Sequence, residues 1–211
     1  MDAGAYRVEP LGPRDASKLA AVAAIYESAF PPSERKPPGF LADASKRPEY
    51  SVLTILAGER VAGMAVVYQP IGLGFCLIEY MAVAAEARGR RLGTTLFEAI
   101  ARRNPDKALL VEVEADGSSR DEGDLVALRK AFYGRLGFRE VMGVRYQMPA
   151  VSSEAPPPMN LLIFGTDAPR LRRTVLDSWL SDVFRNVYGI EEPSETLHRF
   201  LGDQPEYIPL I

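Results

Sequence analysis

The stretch from Leu77 to Ile100 constrains this chain more than any other. It begins inside Phe75 to Val83, a run interrupted by a single charge, Glu79. A strand apolar on both faces belongs near the centre of a sheet. A glycine- and arginine-rich turn follows, Arg88-Gly89-Arg90-Arg91-Leu92-Gly93, and leads into a predicted helix from about Leu92 to Arg103. Gly89 and Gly93 let backbone come close to a ligand, and a new helix presents unpaired N–H groups with partial positive charge. Arg88, Arg90 and Arg91 add three charges there, which suits a pyrophosphate. A solvated basic turn capping a helix would read the same way, and the turn alone does not separate the two. No Gly-Lys-Ser/Thr follows, so it is not a Walker-type phosphate loop. The glycine spacing also differs from a dinucleotide fingerprint.

Composition narrows the classes. At 211 residues, 47% hydrophobic and 25% charged, the chain can bury one sizeable core. Lys and Arg number 25 against 28 Asp and Glu, a net charge of −3 that argues against a nucleic-acid partner. One cysteine, Cys76, and one histidine, His198, exclude a disulfide framework and the usual zinc sites, so no metal is expected. A Ser-His-Asp triad would need His198, which lies in a polar segment without a nucleophile motif. The N-terminal MDAGAYRVEP lacks a signal pattern and no apolar run reaches about 18 residues, so a soluble, cytoplasmic protein with no membrane partner is expected.

Periodicity predicts the remaining elements. Tyr6 to Leu11 reads as a strand, and an alanine-rich helix opens at Pro13-Arg14-Asp15 with apolar Leu19, Val22, Ile25, Tyr26 and Ala29. Pro31-Pro32 ends it, followed by the charged loop 33–38 and a short helix near Phe40 to Ala44. Ser51 to Ala57 and Val61 to Tyr68 flank Gly58-Glu59-Arg60 as a hairpin. Ala108 to Ala115 is a further strand, Asp116 to Asp121 a polar loop, and the next helix ends at Gly137. Val141 to Met148 and Asn160 to Phe164 are expected as closing strands around the Pro-rich loop 149–158. Beyond them, Leu171, Val175, Trp179, Leu180, Val183, Phe184, Val187 and Tyr188 mark an amphipathic helix, and Ser194 to Leu201 a shorter one.

A second motif, Ala131-Phe132-Tyr133-Gly134-Arg135-Leu136-Gly137-Phe138, places Tyr133 forty positions after Gly93. With the basic turn and the order of elements, it resembles the GCN5-related N-acetyltransferase (GNAT) superfamily over roughly residues 6–165. Leu110-Val111-Glu112-Val113-Glu114 and Ala29-Phe30-Pro31-Pro32-Ser33-Glu34-Arg35 are similar to segments of bacterial members. The resemblance implies an α/β (α+β) fold: a mixed, mostly antiparallel twisted sheet of about six to seven strands flanked by helices. Its central strands splay at the acyl-CoA site. It also implies a domain at 1–165, leaving 166–211 as a helical C-terminal extension packed on the domain or at a homodimer interface.

By the same resemblance, acetyl-CoA is the co-substrate. Arg88, Gly89, Arg90, Arg91, Leu92, Gly93 and Thr94 would hold its diphosphate. Met81, Ala82 and Val83 would hold the pantetheine arm, with a backbone N–H near Val83 polarising the thioester carbonyl. Arg91 stands where the motif has glycine, and Val126 where asparagine is common. Tyr133 matches the proton donor to the departing thiolate, a role that a phenol of pKa about 10 can fill. A tyrosine at a helix end is otherwise a packing residue, as Phe132, Leu136 and Phe138 are read here.

An attacking amine must lose a proton. Glu79 is the candidate base, on a face that alternation shares with Leu77, Met81 and Val83. Glu112 is a second candidate, and Glu114 lies on its face of the next strand about 7 Å away. Either could instead be structural, Glu79 by pairing with an arginine. Cys76 reads as a buried thiol and His198 as solvated. The Trp179–Phe184 stripe reads as core, with a dimer contact or a lid as other roles open to it. The expected activity is transfer of acetyl to a primary amine by direct attack, using Tyr133, Glu79 and Glu112. The alternative is a non-catalytic acyl-CoA-binding or sensor module of the same fold.

Overall fold

The computed structural model describes residues 6–12, 14–115, 123–153 and 156–211. The predicted loop from Asp116 to Asp121, and Pro13, lie outside the described residues. In chain order the elements are β1 (Tyr6–Pro10), α1 (Ala16–Ala29), α2 (Phe40–Ala44), β2 (Tyr50–Ala57), β3 (Arg60–Tyr68) and β4 (Phe75–Val83). There follow α3 (Leu92–Arg103), β5 (Ala108–Glu114), α4 (Gly123–Arg135), β6 (Arg139–Glu140), β7 (Met159–Phe164), β8 (Arg170–Arg172), α5 (Arg173–Asn186), α6 (Ser194–Leu201) and β9 (Tyr207–Pro209). Among the described residues no helix is long and apolar enough to cross a membrane.

Seven strands form one sheet in the order β1-β2-β3-β4-β5-β7-β6. Hairpin-linked neighbours pair antiparallel, as the short turns between them require. The exception is β4 with β5, joined through α3 and paired parallel. That parallel pairing covers only Phe75 with Ala108, Cys76 with Leu109 and Leu77 with Leu110. Beyond it β4 stays on β3 as far as Val83, and β5 stays on β7 as far as Glu114. The two central strands therefore separate, and the sheet opens at its middle.

Each face of the sheet buries its own cluster. On one, Val22 and Ile25 of α1 and Leu176, Leu180, Val183 and Phe184 of α5 pack with Ile55, Val66, Leu77 and Leu110. On the other, Phe97 and Ile100 of α3 and Tyr133 of α4 pack with Cys76, Ile78, Leu109 and Val111. Trp179 stacks on Phe75 with ring centroids 5.2 Å apart, so the stripe on α5 is core. Cys76 is buried, and burial pushes its thiol up to about 11, which leaves it inert as a nucleophile. His198 is exposed on α6.

Two expectations need correction. The strand predicted over Val141 to Met148 is absent: β6 ends at Glu140, and only a single bridge joins Val141 to Leu210. Gly143 takes a left-handed φ of 77° and its carbonyl accepts from Gln204 Nε2 at 2.8 Å, which breaks the extended run although Val141 N and Tyr146 O still bond to β7. The segment after residue 165 is also not wholly helical, since β8 and β9 pair as a two-stranded ribbon.

Candidate functional site

The turn after β4 holds an unusual backbone. Arg91 has φ 59°, the only positive φ at a non-glycine among the described residues, and it forms the N-cap of α3. An L-residue in the left-handed region costs about 1–2 kcal/mol. The glycine of the motif would remove that cost, which explains why arginine reads as a departure there. Gly89 is also left-handed, at 77°, with open space where a side chain would be. Gly93 is needed for a different reason: a Cβ on it would lie 3.2 Å from the Phe132 ring, so α3 and α4 meet closely there. No side chain caps α3 and no acidic residue occupies its first turn, so its N–H groups and dipole face outward. Leu92 is buried, Thr94 is half-buried beside Gly93, and Arg88, Arg90 and Arg91 are exposed. None of the three arginines is ion-paired to another described residue.

Along β4, the Ala84 N–H donates to Ala62 O at 2.9 Å, towards β3. Strand alternation turns Ala82 the same way and leaves the backbone groups of Met81 and Val83 facing the opening. The register slips between Val66 and Val67, which pair with Tyr80 and Ile78 and leave Glu79 as the extra residue of a bulge. The expected alternation fails here. Tyr80 and Ala82 are buried with Leu77 in the larger core cluster, whereas Met81 and Val83 are only partly buried against it.

The opening between β4 and β5 is a cavity of about 130 Å³. Ile78, Phe132 and Tyr133 line it from the α4 face, and Glu79, Glu112 and Tyr188 from the other. Tyr133 is held by the end of α4: its carbonyl accepts from Leu136 N at 3.0 Å and Phe138 N at 3.1 Å around left-handed Gly137. Its ring packs edge-on against Phe132 and Phe138. Burial pushes its phenol up to about 12, so it stays protonated at neutral pH. Val126, at the motif's asparagine position, is buried core.

The carboxylates have partners that sequence reasoning missed. Lys36 Nζ lies 2.5 Å from Glu79 Oε1 and donates to Val187 O at 2.8 Å. The ammonium also sits over the rings of Phe40 and Tyr188, 4.5 and 5.7 Å from their centroids. Glu79 thus pairs with a lysine where an arginine was weighed. Burial is the main influence on its carboxyl, and although Lys36 opposes it, the group is pushed up to about 7. Glu112 accepts hydrogen bonds from the Tyr146 and Tyr188 hydroxyls. Burial again dominates and raises its carboxyl, against those two donors. Glu114 instead pairs with Arg129 Nη1 at 3.0 Å. The Lys36 loop is anchored by two tyrosines, since Tyr26 Oη accepts from Lys36 N and the Tyr80 hydroxyl donates to Glu34 O, both at 2.8 Å. Lys36 follows the Pro-Pro loop that the sequence had already singled out; for Tyr146 and Tyr188 no local signal exists.

The arrangement combines an anion-ready helix start, an open strand edge, a protonated phenol and a carboxyl that titrates near neutrality. Residues 48–140 match the family model described as an acetyltransferase (GNAT) domain. No curated protein sequence matches the chain. Among solved structures, a GNAT-family protein from Bacteroides thetaiotaomicron superposes with a TM-score of 0.73 at 19% identity, covering 88% of this chain and 99% of that one. The ribosomal-protein-S18-alanine N-acetyltransferase from Escherichia coli gives 0.57 at 17% identity, covering 76% and 93%. An aminoglycoside 6'-N-acetyltransferase complexed with coenzyme A gives 0.57 at 13%, covering 75% and 96%.

Proposed function

The chain belongs to the GNAT superfamily of acetyltransferases, and from that premise we propose that it is an N-acetyltransferase using acetyl-CoA and a primary amine. The observation that carries this reading is the opening between β4 and β5, where Tyr133 and Glu79 line one cavity from opposite faces of the sheet.

The residues present fit the co-substrate. The uncapped start of α3 offers N–H groups of Leu92, Gly93 and Thr94, and the side chains of Arg88, Arg90 and Arg91 add charge for a diphosphate. The backbone groups of Met81 and Val83, on either side of the β3-paired Ala82, offer hydrogen bonds to an extended amide-bearing arm. When bound, acetyl-CoA supplies an acetyl group activated as a thioester. Glu79 takes the proton that an ammonium must lose before it can attack, and its carboxyl near 7 is poised for that exchange. A backbone N–H near Val83 polarises the carbonyl. Tyr133, protonated at working pH, donates to the sulfur as it leaves. Glu112, held by two phenols, keeps a second negative charge near the incoming cation. We take residues 1–165 as the transferase domain and 166–211 as an extension whose Tyr188 lines the acceptor side of the opening.

The test combines binding and turnover. Acetyl-CoA should raise the melting temperature of the protein, and thiol release should appear with members of an amine panel. Tyr133→Phe should lower turnover about 10²-fold, within the range of general acid catalysis, with acetyl-CoA affinity kept. Unchanged turnover would remove Tyr133 from the mechanism. Binding without turnover on any amine would make the protein an acyl-CoA sensor.

A further inference from the structure

A primary amine of the protein itself reaches Glu79 from the neighbouring pocket, which Lys36 lines together with Tyr26 and Phe40. We infer that Lys36 is a site of self-acetylation, its own ε-amine serving as acceptor for the acetyl group held at Tyr133. The inference rests on the transferase reading above and adds to it a covalent modification of this chain.

Three observations support it. Lys36 Nζ is 2.5 Å from Glu79 Oε1, the carboxylate proposed to deprotonate an incoming amine, and that carboxylate lines the same cavity as Tyr133. The surroundings of the ammonium are those of an amine-binding site: one carboxylate, one backbone carbonyl and two aromatic rings. The loop that carries Lys36 is stiff, with prolines at 31, 32, 37 and 38 and anchors on Tyr26 and Tyr80, so the amine is delivered at low entropic cost. The sequence has five lysines, and the other four are engaged elsewhere. Lys18 pairs with Glu9 and Asp15, Lys46 with Asp43, Lys107 with Pro70 O and Lys130 with Glu140.

The step balances. The ammonium of Lys36 gives one proton to Glu79 and through it to solvent. The C–N bond of the amide forms as the C–S bond breaks. The sulfur leaves as the thiol with a proton from Tyr133, which recovers one from the same nitrogen. The product is a neutral acetyl-lysine, so the cation that faces Glu79 is lost. Self-acetylation would therefore loosen the tie between the Lys36 loop and Val187 as well as recharge the pocket for an external cationic amine.

The experiment uses the full chain and acetyl-CoA carrying a ¹³C-labelled acetyl group, which separates new modification from any acquired in the expression host. Labelled sites are read by peptide mass mapping, beside a second labelling with acetic anhydride, which ranks lysines by accessibility alone. Lys36, with 10% of its side chain exposed, should be the slowest with anhydride and the fastest with acetyl-CoA. Its rate per molecule should not depend on protein concentration, and Tyr133→Phe should slow it about 10²-fold. In Lys36→Arg no other lysine should take over. Labelling of Lys36 no faster than of Lys46, a rate proportional to protein concentration, or labelling indifferent to Tyr133→Phe would each overturn the inference. A protein that binds acetyl-CoA and acetylates an added amine but leaves Lys36 unlabelled overturns the inference alone. A protein that shows no melting shift with acetyl-CoA overturns the transferase reading itself.

Discussion

Replacing Arg91 with glycine should stabilise the protein while removing a positive charge from its proposed ligand site. The left-handed φ of 59° at Arg91 costs about 1–2 kcal/mol for a residue with a Cβ. Glycine removes that strain but gives back about 0.5–1 kcal/mol as extra freedom in the unfolded chain. The net gain is about 0.5–1 kcal/mol, which for a chain of this size corresponds to a melting temperature about 1–4 °C higher. Alanine is the necessary control, because it removes the same charge and keeps the strain. Thermal denaturation without ligand should rank glycine above arginine, and alanine about 0.5–1 kcal/mol below glycine. In ligand titrations Arg91→Gly keeps the backbone N–H and loses one exposed guanidinium, worth about 0.3–1 kcal/mol, so acetyl-CoA should bind about 2–5-fold more weakly. An alanine variant as stable as the glycine variant would refute the argument, since it would mean that the backbone at this position is unstrained.

Three further outcomes are expected. Because Glu79 must be ionised to accept a proton and its carboxyl sits at about 7, kcat/KM should fall about tenfold per pH unit below that value, and Glu79→Gln should abolish this limb. Gly93→Ala would press a methyl group against the Phe132 ring at 3.2 Å, so urea denaturation should show a loss of about 1–3 kcal/mol that Phe132→Leu relieves. Tyr188→Phe removes a donor to buried Glu112 and should cost about 1–3 kcal/mol. Its folded carboxyl, already above the ordinary 4.5, would rise further, so the deficit should be smallest below pH 4.5 and grow as pH rises; a deficit that shrinks between pH 5 and 8 would contradict this.

Much of the architecture was legible along the chain because local chemistry and tertiary position agree there. The Gly58-Glu59-Arg60 turn between two apolar runs gave the hairpin, and Gly137 marked the end of α4 by its need for a left-handed φ. The site was less legible. Period-2 alternation carries no mark of a bulge, so it put Glu79 on the face of Leu77, where it lies, but wrongly gave that face to Met81 and Val83 beyond it. Lys36 and Val187 are 151 positions apart, and only the docking of α5 on the larger core brings them together. Tyr146 falls in a segment whose apolar run suggested a strand, yet its hydroxyl is committed to Glu112 instead.

The contact between Lys36 and Val187 has a practical consequence for anyone altering what this protein accepts. Glu34 and Tyr188 line the opening from two distant stretches of polypeptide, which Lys36 ties together. A loop transplanted from a relative without its matching counterpart would lose the carbonyl and ring that seat the lysine. Redesign of this pocket has to exchange both stretches as a unit.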